Sequence, residues 1–339
     1  MPRKNAPPER AKHIRARSLM RRSEDDLHGV VVEIRSGVYF VRTDSGGVYG
    51  CRTNRSTHTE NPDSTLVVVG DHVRFTAPFH SGERKYAEGV ITLVAERRSS
   101  LKRSRERRRN RSGESEHVLA SNIDQLVIIA SAAEPAFRPK LIDRYLAYAE
   151  FERLASLLVV NKMDLDSDGA VREQARLYQD IGYEALFLSA STGEGVSTLK
   201  EKLLGKTSVF SGHSGVGKST LINVLTNSVL PTGELSEKSG KGAHTTSNAV
   251  MLTVCAPDDN RIGYVIDTPG IREFGLEGIA REELRHLFVE FRTFAPECAF
   301  SSCTHTSEPN CAVLHAVEQG KISLDRYESY LTIYHEAEE

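Results

Sequence analysis

The run "GHSGVGKST", from Gly212 to Thr220, fills every slot of G-x-x-x-x-G-K-[ST]. Its glycines permit positive φ and close backbone approach, so amide N–H groups can face phosphate oxygens. This geometry needs a strand that turns straight into a helix, whose N-terminal dipole adds positive potential. The flanking text supplies both: "TSVFSG" reads as a buried strand and "KSTLINVLT" as the helix. Gly212, His213, Ser214, Gly215, Val216, Gly217, Lys218, Ser219 and Thr220 are therefore expected to cradle a phosphate chain. Lys218 would neutralise the β and γ phosphates, and the Ser219 hydroxyl would bind Mg²⁺.

The text on both sides extends the same architecture. "DQLVIIAS" (Asp124–Ser131) is a buried strand, and Arg138–Phe151 a helix with Leu141, Tyr145 and Tyr148 along one side. Further strands are expected at "ASLLVVN", "EALFLSA", "NAVMLTVCA" and "IGYVIDT", with helices at "GAVREQARLYQDIG" and "GVSTLKEKLL". Strand-helix alternation of this kind predicts a parallel, doubly wound α/β sheet with ligands at the strands' carboxyl ends.

The base is read from "NKMD", Asn161–Asp164. A carboxylate only accepts hydrogen bonds, so Asp164 suits the N1–H and 2-amino group of guanine and repels the N1 acceptor of adenine. Asn161 can tie the loop and contact the base, and the stem of Lys162 can lie over its ring. "SAS" (Ser189–Ser191) follows a strand, and the turn at Ser189 and Ala190 fits backbone contact to guanine O6. "DTPG" (Asp267–Gly270) closes the set: Asp267 can reach Mg²⁺ through water, and the Gly270 N–H can sense the γ-phosphate. "GKGAHTTSN" (Gly240–Asn248) reads as a switch in which Thr245 or Thr246 closes on Mg²⁺ and the γ-phosphate. The expected Mg²⁺ set is therefore Ser219, Thr246 and Asp267. The order is base reader, O6 turn, phosphate loop, Thr switch, DTPG. A Ras-like GTPase begins with the phosphate loop, so this is a circular permutation. Rewiring of this kind is tolerated because domain termini often lie close together.

The rest of the 339 residues divides around this domain. Residues 1–26 carry Pro, Arg and Ser without apolar periodicity and read as a disordered basic tail. From 27 to 97 short β-branched runs punctuated by Gly and Ser predict an OB-like β-barrel, able to bind RNA through a basic, aromatic face. Tyr39, Phe40, Tyr49 and Phe75 are its aromatic candidates, about half of them core because alternation sends neighbours to opposite faces. Residues 98–117 read as a basic linker, 118–280 as the permuted GTPase domain and 281–339 as a helical domain. Net charge is −2, yet Met1–Arg22 carries +7 and Arg97–Arg111 carries +8, leaving −17 for the remainder. Two such basic segments fit a polyanionic partner; the alternative is two solvated stretches that aid solubility. No apolar run is long enough to span a membrane, and the basic start lacks the apolar core of a secretory signal. A cytoplasmic monomer is the expectation, with an organellar transit peptide as the alternative for the Arg-rich start.

Five cysteines are an odd count, which argues for metal binding in a reducing compartment over a disulfide framework. "CAFSSCTHTSEPNC" places Cys298, Cys303, His305 and Cys311 in a C-x₄-C-x-H-x₅-C pattern. Three thiolates and an imidazole complete a tetrahedral Zn²⁺ set with no open position, so the ion would be structural. Cys51 and Cys255 lie in strand-like text and read as buried fillers.

With the permuted order, the OB-like start, "GHSGVGKST", "HTT", "DTPGIREFGL" and the cysteine cluster in place, the chain resembles the RsgA family from about Leu27 to its end. These are circularly permuted GTPases of the small ribosomal subunit. The resemblance implies subunit-stimulated hydrolysis of GTP to GDP, contact with small-subunit rRNA, and a role in late maturation of that subunit, with hydrolysis timing release. The family usually carries a basic residue before the switch His, where this chain has Ala243. Ile271 occupies the position after the DTPG glycine where many GTPases hold a water-orienting Gln. His244 is the candidate catalytic residue in its place; the alternative is a solvent-exposed loop His. Two rival functions stay open from sequence: a non-hydrolysing GTP-dependent RNA-binding adaptor and a GTP-dependent metallochaperone.

Overall fold

The computed structural model describes residues 25–61, 66–77, 87–103, 117–226, 249–256, 259–267 and 279–337. They fall into two compact units. One holds the described residues of 25–61 and 71–96, the other those of 66–70 and 97–337.

The first unit contains β1 (Asp25–Arg35), β2 (Val38–Arg42), β3 (Val48–Arg52), β4 (His58–Thr59), β5 (His72–Ala77) and β6 (Ala87–Val94). The ladder runs β1-β2-β3-β6, and β5 pairs with both β6 and β1, which closes the ring. Closure leaves no long edge unpaired, the usual liability of a small sheet. Irregular pairing between Val31 and Glu33 and between Arg74 and Phe75 supplies the local bend. Period-two alternation sends Val31, Val41, Cys51, Val73, Phe75, Ile91 and Val94 into the interior. This is the expected OB-like β-barrel. Of the four aromatic candidates Phe75 is core, while Tyr39, Phe40 and Tyr49 are half-buried. Burial pushes the Cys51 thiol up to about 12, so it behaves as a small hydrophobe.

The second unit opens with β7 (Ser100–Arg103) paired antiparallel to β8 (His117–Ser121). Residues 100–103 and 117, inside the linker expected at 98–117, are therefore strand. Leu101 is fully buried, and that apolar anchor plus the β8 ladder makes a strand of the first basic residues. Next come β9 (Gln125–Ser131), α1 (Pro139–Phe151), β10 (Ala155–Asn161), α2 (Ala170–Asp180), β11 (Glu184–Phe187) and α3 (Val196–Leu203). They are followed by β12 (Thr207–Ser211), α4 (Lys218–Thr226), β13 (Val250–Ala256) and β14 (Asp259–Asp267). The sheet order is β11-β10-β9-β12-β14-β13, parallel throughout except for β13. Every residue of β9 is buried, as a strand covered on both faces must be. Val127, Ile129, Leu157, Val159, Phe210, Leu221 and Val265 join helices to the sheet in one core.

The chain lays down the β9, β10 and β11 half first and only then delivers β12 to the middle of the sheet. The permutation thus changes the order of synthesis and leaves the phosphate-loop strand central. Cys255 is exposed, contrary to the expectation of a filler, because the pleat that buries Val254 turns its neighbour outward.

The remaining helices are α5 (Arg281–Leu284), α6 (Phe291–Phe294), α7 (Ala312–Glu318) and α8 (Leu324–Glu336). Their core is aromatic: Phe291 lies 5.0 Å from Tyr330 and 5.3 Å from Phe288, ring centre to ring centre. Helix α8 packs on α1, which also covers β9 and β10. The one-sided stripe expected on α1 is therefore too narrow. Ile142, Asp143, Tyr145, Leu146, Ala147, Tyr148 and Ala149 are all buried, while Leu141 is only half so. Among the described residues no helix is long and apolar enough to cross a membrane.

Candidate nucleotide site and metal-binding cluster

Strand β12 ends at Ser211 and releases the chain into the phosphate loop. Gly212 takes φ +146°, and a Cβ there would sit 2.1 Å from the Ile129 carbonyl oxygen. Gly217 takes φ +95°, and a Cβ there would sit 2.3 Å from Asn161 Nδ2. Only glycine fits either place, so the loop lies pressed against β9 and the end of β10. Val216 is buried between them, while Ser214, Gly215 and Thr220 are exposed. The Lys218 ammonium donates to the carbonyls of Gly212 and His213, each at 2.7 Å. Ser219 sits half-buried in the first turn of α4. Asp267 ends β14, the parallel neighbour of β12. Burial pushes its carboxyl up, and the Lys218 charge opposes this.

Strand β10 delivers Asn161, followed by Lys162 in the left-handed region and a single 3₁₀ turn, Met163–Leu165. Asn161 is almost fully buried. Its Nδ2 donates to the Val216 carbonyl at 2.9 Å, and its Oδ1 accepts the Ala190 N–H at 3.0 Å. One amide therefore ties the NKMD turn, the Gly212–Thr220 loop and the SAS turn together. The Met163 N–H adds a bond to the Leu188 carbonyl at 3.1 Å. Asp164 stands exposed at the turn. The Ser189 hydroxyl, first among its neighbours, holds its carboxyl below the ordinary range. Ser189 itself is buried, with Ser191 Oγ at 2.9 Å and the Thr192 N–H donating to it at 3.2 Å. The Lys162 ammonium donates to the Glu134 carbonyl.

Sequence reasoning missed two anchors. Glu134 acts only through its backbone, which no residue code reveals. Asp166 accepts the N–H groups of Val171 and Arg172 at 3.1 and 3.0 Å, a helix-start carboxylate for α2. The alternation of acid and helix after "NKMD" carried that signal. The switch candidates His244, Thr245 and Thr246, and Gly270 of DTPG, lie outside the described residues.

Cys298, Cys303, His305 and Cys311 offer four ligand atoms that all lie within 4.8 Å of one another. Cys298 Sγ is 3.9 Å from Cys311 Sγ and 3.6 Å from His305 Nδ1, and Cys311 Sγ is 3.4 Å from that nitrogen. Burial lowers His305, which favours the neutral imidazole that ligates metal, and raises Cys303 to about 12. A cation at the centre would reverse the thiols' preference. The cluster is held from outside. Tyr327 donates to the His305 carbonyl at 2.8 Å, Tyr330 to the Thr304 carbonyl, and Phe291 meets the His305 ring edge-on. His315 is excess to the set; it is exposed and near Glu318.

Through Asn161 the described residues join the Gly-rich loop to the turn that carries Asp164. With the strand order above, this arrangement defines a circularly permuted GTPase. The family model described as RsgA GTPase matches residues 94–277. A Chlorobaculum parvum protein named small ribosomal subunit biogenesis GTPase RsgA is 52% identical over 310 residues, covering 91% of this chain and 97% of that one. The crystal structure of YjeQ from Thermotoga maritima superposes with a TM-score of 0.69 at 32% identity, covering 92% of this chain and 98% of that one. YloQ, described as a circularly permuted GTPase, gives 0.67 at 27% identity over 93% and 96% of the two chains. The chain belongs to the RsgA GTPase family and is a GTP hydrolase.

Proposed function

We propose that this chain hydrolyses GTP on the small ribosomal subunit late in that subunit's maturation, and that hydrolysis times its release. The observation that supports the reading is the Asn161 tie, which joins the NKMD turn to the Gly212–Thr220 loop despite the permuted order. The name borne by the similar Chlorobaculum parvum protein supports the choice of subunit. In this reading Asp164 takes the guanine edge, with Asn161, Lys162, Ser189 and Ala190 shaping the base pocket. The run from Gly212 to Thr220 takes the phosphates. Mg²⁺ would be held by Ser219, Asp267 and a switch threonine, Thr245 or Thr246, and Gly270 would report the γ-phosphate. Bound there, the ion would neutralise charge developing on the phosphate oxygens. His244 would orient the attacking water, since Ile271 cannot.

We assign zinc to the Cys/His cluster. Tetrahedral bonds of about 2.3 Å to sulfur and 2.1 Å to nitrogen put ligand atoms about 3.8 Å (S to S) and 3.6 Å (S to N) apart. The observed 3.9, 3.6 and 3.4 Å fit. Four protein ligands leave no position for delivery to a client, so the ion serves the fold of residues 281–339. Metal analysis is expected to give one zinc per chain. The barrel of residues 27–97 and the basic segments around it (1–26 and 98–117) would contact rRNA, and the protein would act as a cytoplasmic monomer.

The decisive experiment measures GTP turnover alone, with small subunits and with large subunits. Strong stimulation by small subunits only is expected, and His244→Ala should abolish the stimulated part. Equal rates in all three conditions would leave a GTP-dependent adaptor as the better description.

A further inference from the structure

The base-reading turn is carried between the starts of two helices. On one side the Lys162 ammonium bonds the Glu134 carbonyl, in the segment that enters α1, and Ser131 Oγ donates to the Pro135 carbonyl at 2.6 Å. On the other side the Asp166 carboxylate accepts the Val171 and Arg172 N–H groups in the first turn of α2. The place of Asp164 therefore follows from how α1 sits against α2.

A buried charged cluster sets that relation. The Tyr178 hydroxyl of α2 donates to Asp143 of α1 at 2.9 Å, with the Pro139 carbonyl at 3.3 Å. Arg326 of α8 donates Nη1 to the same Asp143 oxygen at 2.7 Å, and turns Nε and Nη2 onto Glu290 at 2.7 and 3.0 Å. The Arg326 and Asp143 side chains are 2% and 1% exposed, and Glu290 is 7% exposed. Phe288 and the Tyr178 ring flank the guanidinium at 4.6 and 5.9 Å. On the same helix, Tyr327 and Tyr330 hold the backbone of the metal-binding loop. Buried ionic clusters add little net stability over apolar packing of equal volume. What this one supplies is a single geometry, because a planar fork engaging two carboxylates tolerates one placement of each helix.

We propose that Arg326 is a positioning residue for guanine recognition: working through Asp143 and Tyr178, it fixes α1 against α2 and so sets the base-reading turn. The inference rests on the reading of Asp164 as the carboxylate that accepts guanine's N1–H and 2-amino group. A residue that only glued the C-terminal helices in place would change melting temperature and leave base selectivity alone.

The test compares affinity for GDP with affinity for IDP, which lacks the 2-amino group, in the full metal-loaded chain well below its melting temperature. The GDP/IDP ratio reads the placement of the Asp164 carboxylate. Arg326→Met should lower the ratio roughly three- to tenfold. Arg326→Lys should fall between, since an ammonium lacks the fork. Tyr178→Phe keeps the ring and the Arg326–Asp143 pair, deletes only the hydroxyl, and should lower the ratio in the same direction. An unchanged ratio in Tyr178→Phe and in whichever Arg326 variants fold overturns the proposal. Asp164→Asn separates the two layers. It should move preference from GDP to XDP, whose 2-carbonyl accepts the Asn amide. Without that move the Asp164 reading fails and takes the proposal with it. With it, flat ratios elsewhere sink the positioning role alone.

Discussion

The two ends of the proposed nucleotide site are built on different principles. The base end is held by side chains: Asn161 by two hydrogen bonds, Asp166 by two, Ser189 by its hydroxyl. The phosphate end is held by backbone shape, with Gly212, Gly215 and Gly217 all at positive φ. A side-chain frame fails when a polar group is deleted and left unpaired. A backbone frame fails when a Cβ is added. The ends meet where Gly217 lies against the Asn161 amide. That contact lets a permuted chain behave as one site, because the loops are joined across space and not through sequence.

Four substitutions probe this contrast. Lys218→Ala removes charge from the phosphate end together with the bonds to the Gly212 and His213 carbonyls. It should cut subunit-stimulated GTP turnover by about two to three orders of magnitude while the melting temperature stays near wild type. Gly217→Ala attacks the junction itself. The strained φ costs about 1–3 kcal/mol, and the new methyl meets Asn161 Nδ2 at 2.3 Å. Calorimetric GDP binding should weaken strongly. Adding Asn161→Ala should restore part of the loss by opening room, a coupling that a double-mutant cycle would read directly.

Asn161→Ala alone leaves the Val216 carbonyl and the Ala190 N–H unpaired. At about 1–3 kcal/mol for each buried orphan, GDP dissociation in stopped flow should quicken by roughly an order of magnitude or more. The smallest effect belongs to Ser189→Ala. The Ser189 hydroxyl lowers the Asp164 carboxyl from its ordinary 3.8. A depressed carboxyl stays ionised as pH falls through that ordinary value, so wild type keeps its acceptor where the variant begins to lose it. At pH 7 both carboxylates are ionised and affinities should nearly agree. The gap should open as pH falls toward 3.8. A gap of constant size at all pH values would show that the hydroxyl acts only on loop shape.

What was legible in the sequence was whatever chemistry sits in contiguous residues. The Gly212–Thr220 loop between strand and helix, the NKMD turn and the gathered Cys/His set each lie within a few consecutive positions. The strand alternation gave the sheet for the same reason. The cluster of Arg326, Asp143 and Glu290 was invisible: its members are separated by 183 and 36 positions, and a charged residue in a helix reads as surface. The double burial of α1 was missed because a helix covered on both sides shows no clean stripe. The start of the basic stretch looked like a linker because one leucine, Leu101, outweighs its charged neighbours only when β8 pairs with it.

Cys255 lies open to solvent on β13, five residues beyond the strand's first residue, while Cys51, Cys303 and Cys311 are buried. A maleimide dye would find that thiol first, provided the metal shields Cys298. The native chain thus comes with a built-in attachment point for a fluorophore, on the strand that directly follows the threonine segment. Engagement of nucleotide or ribosome could be followed there in real time without adding or deleting a single residue.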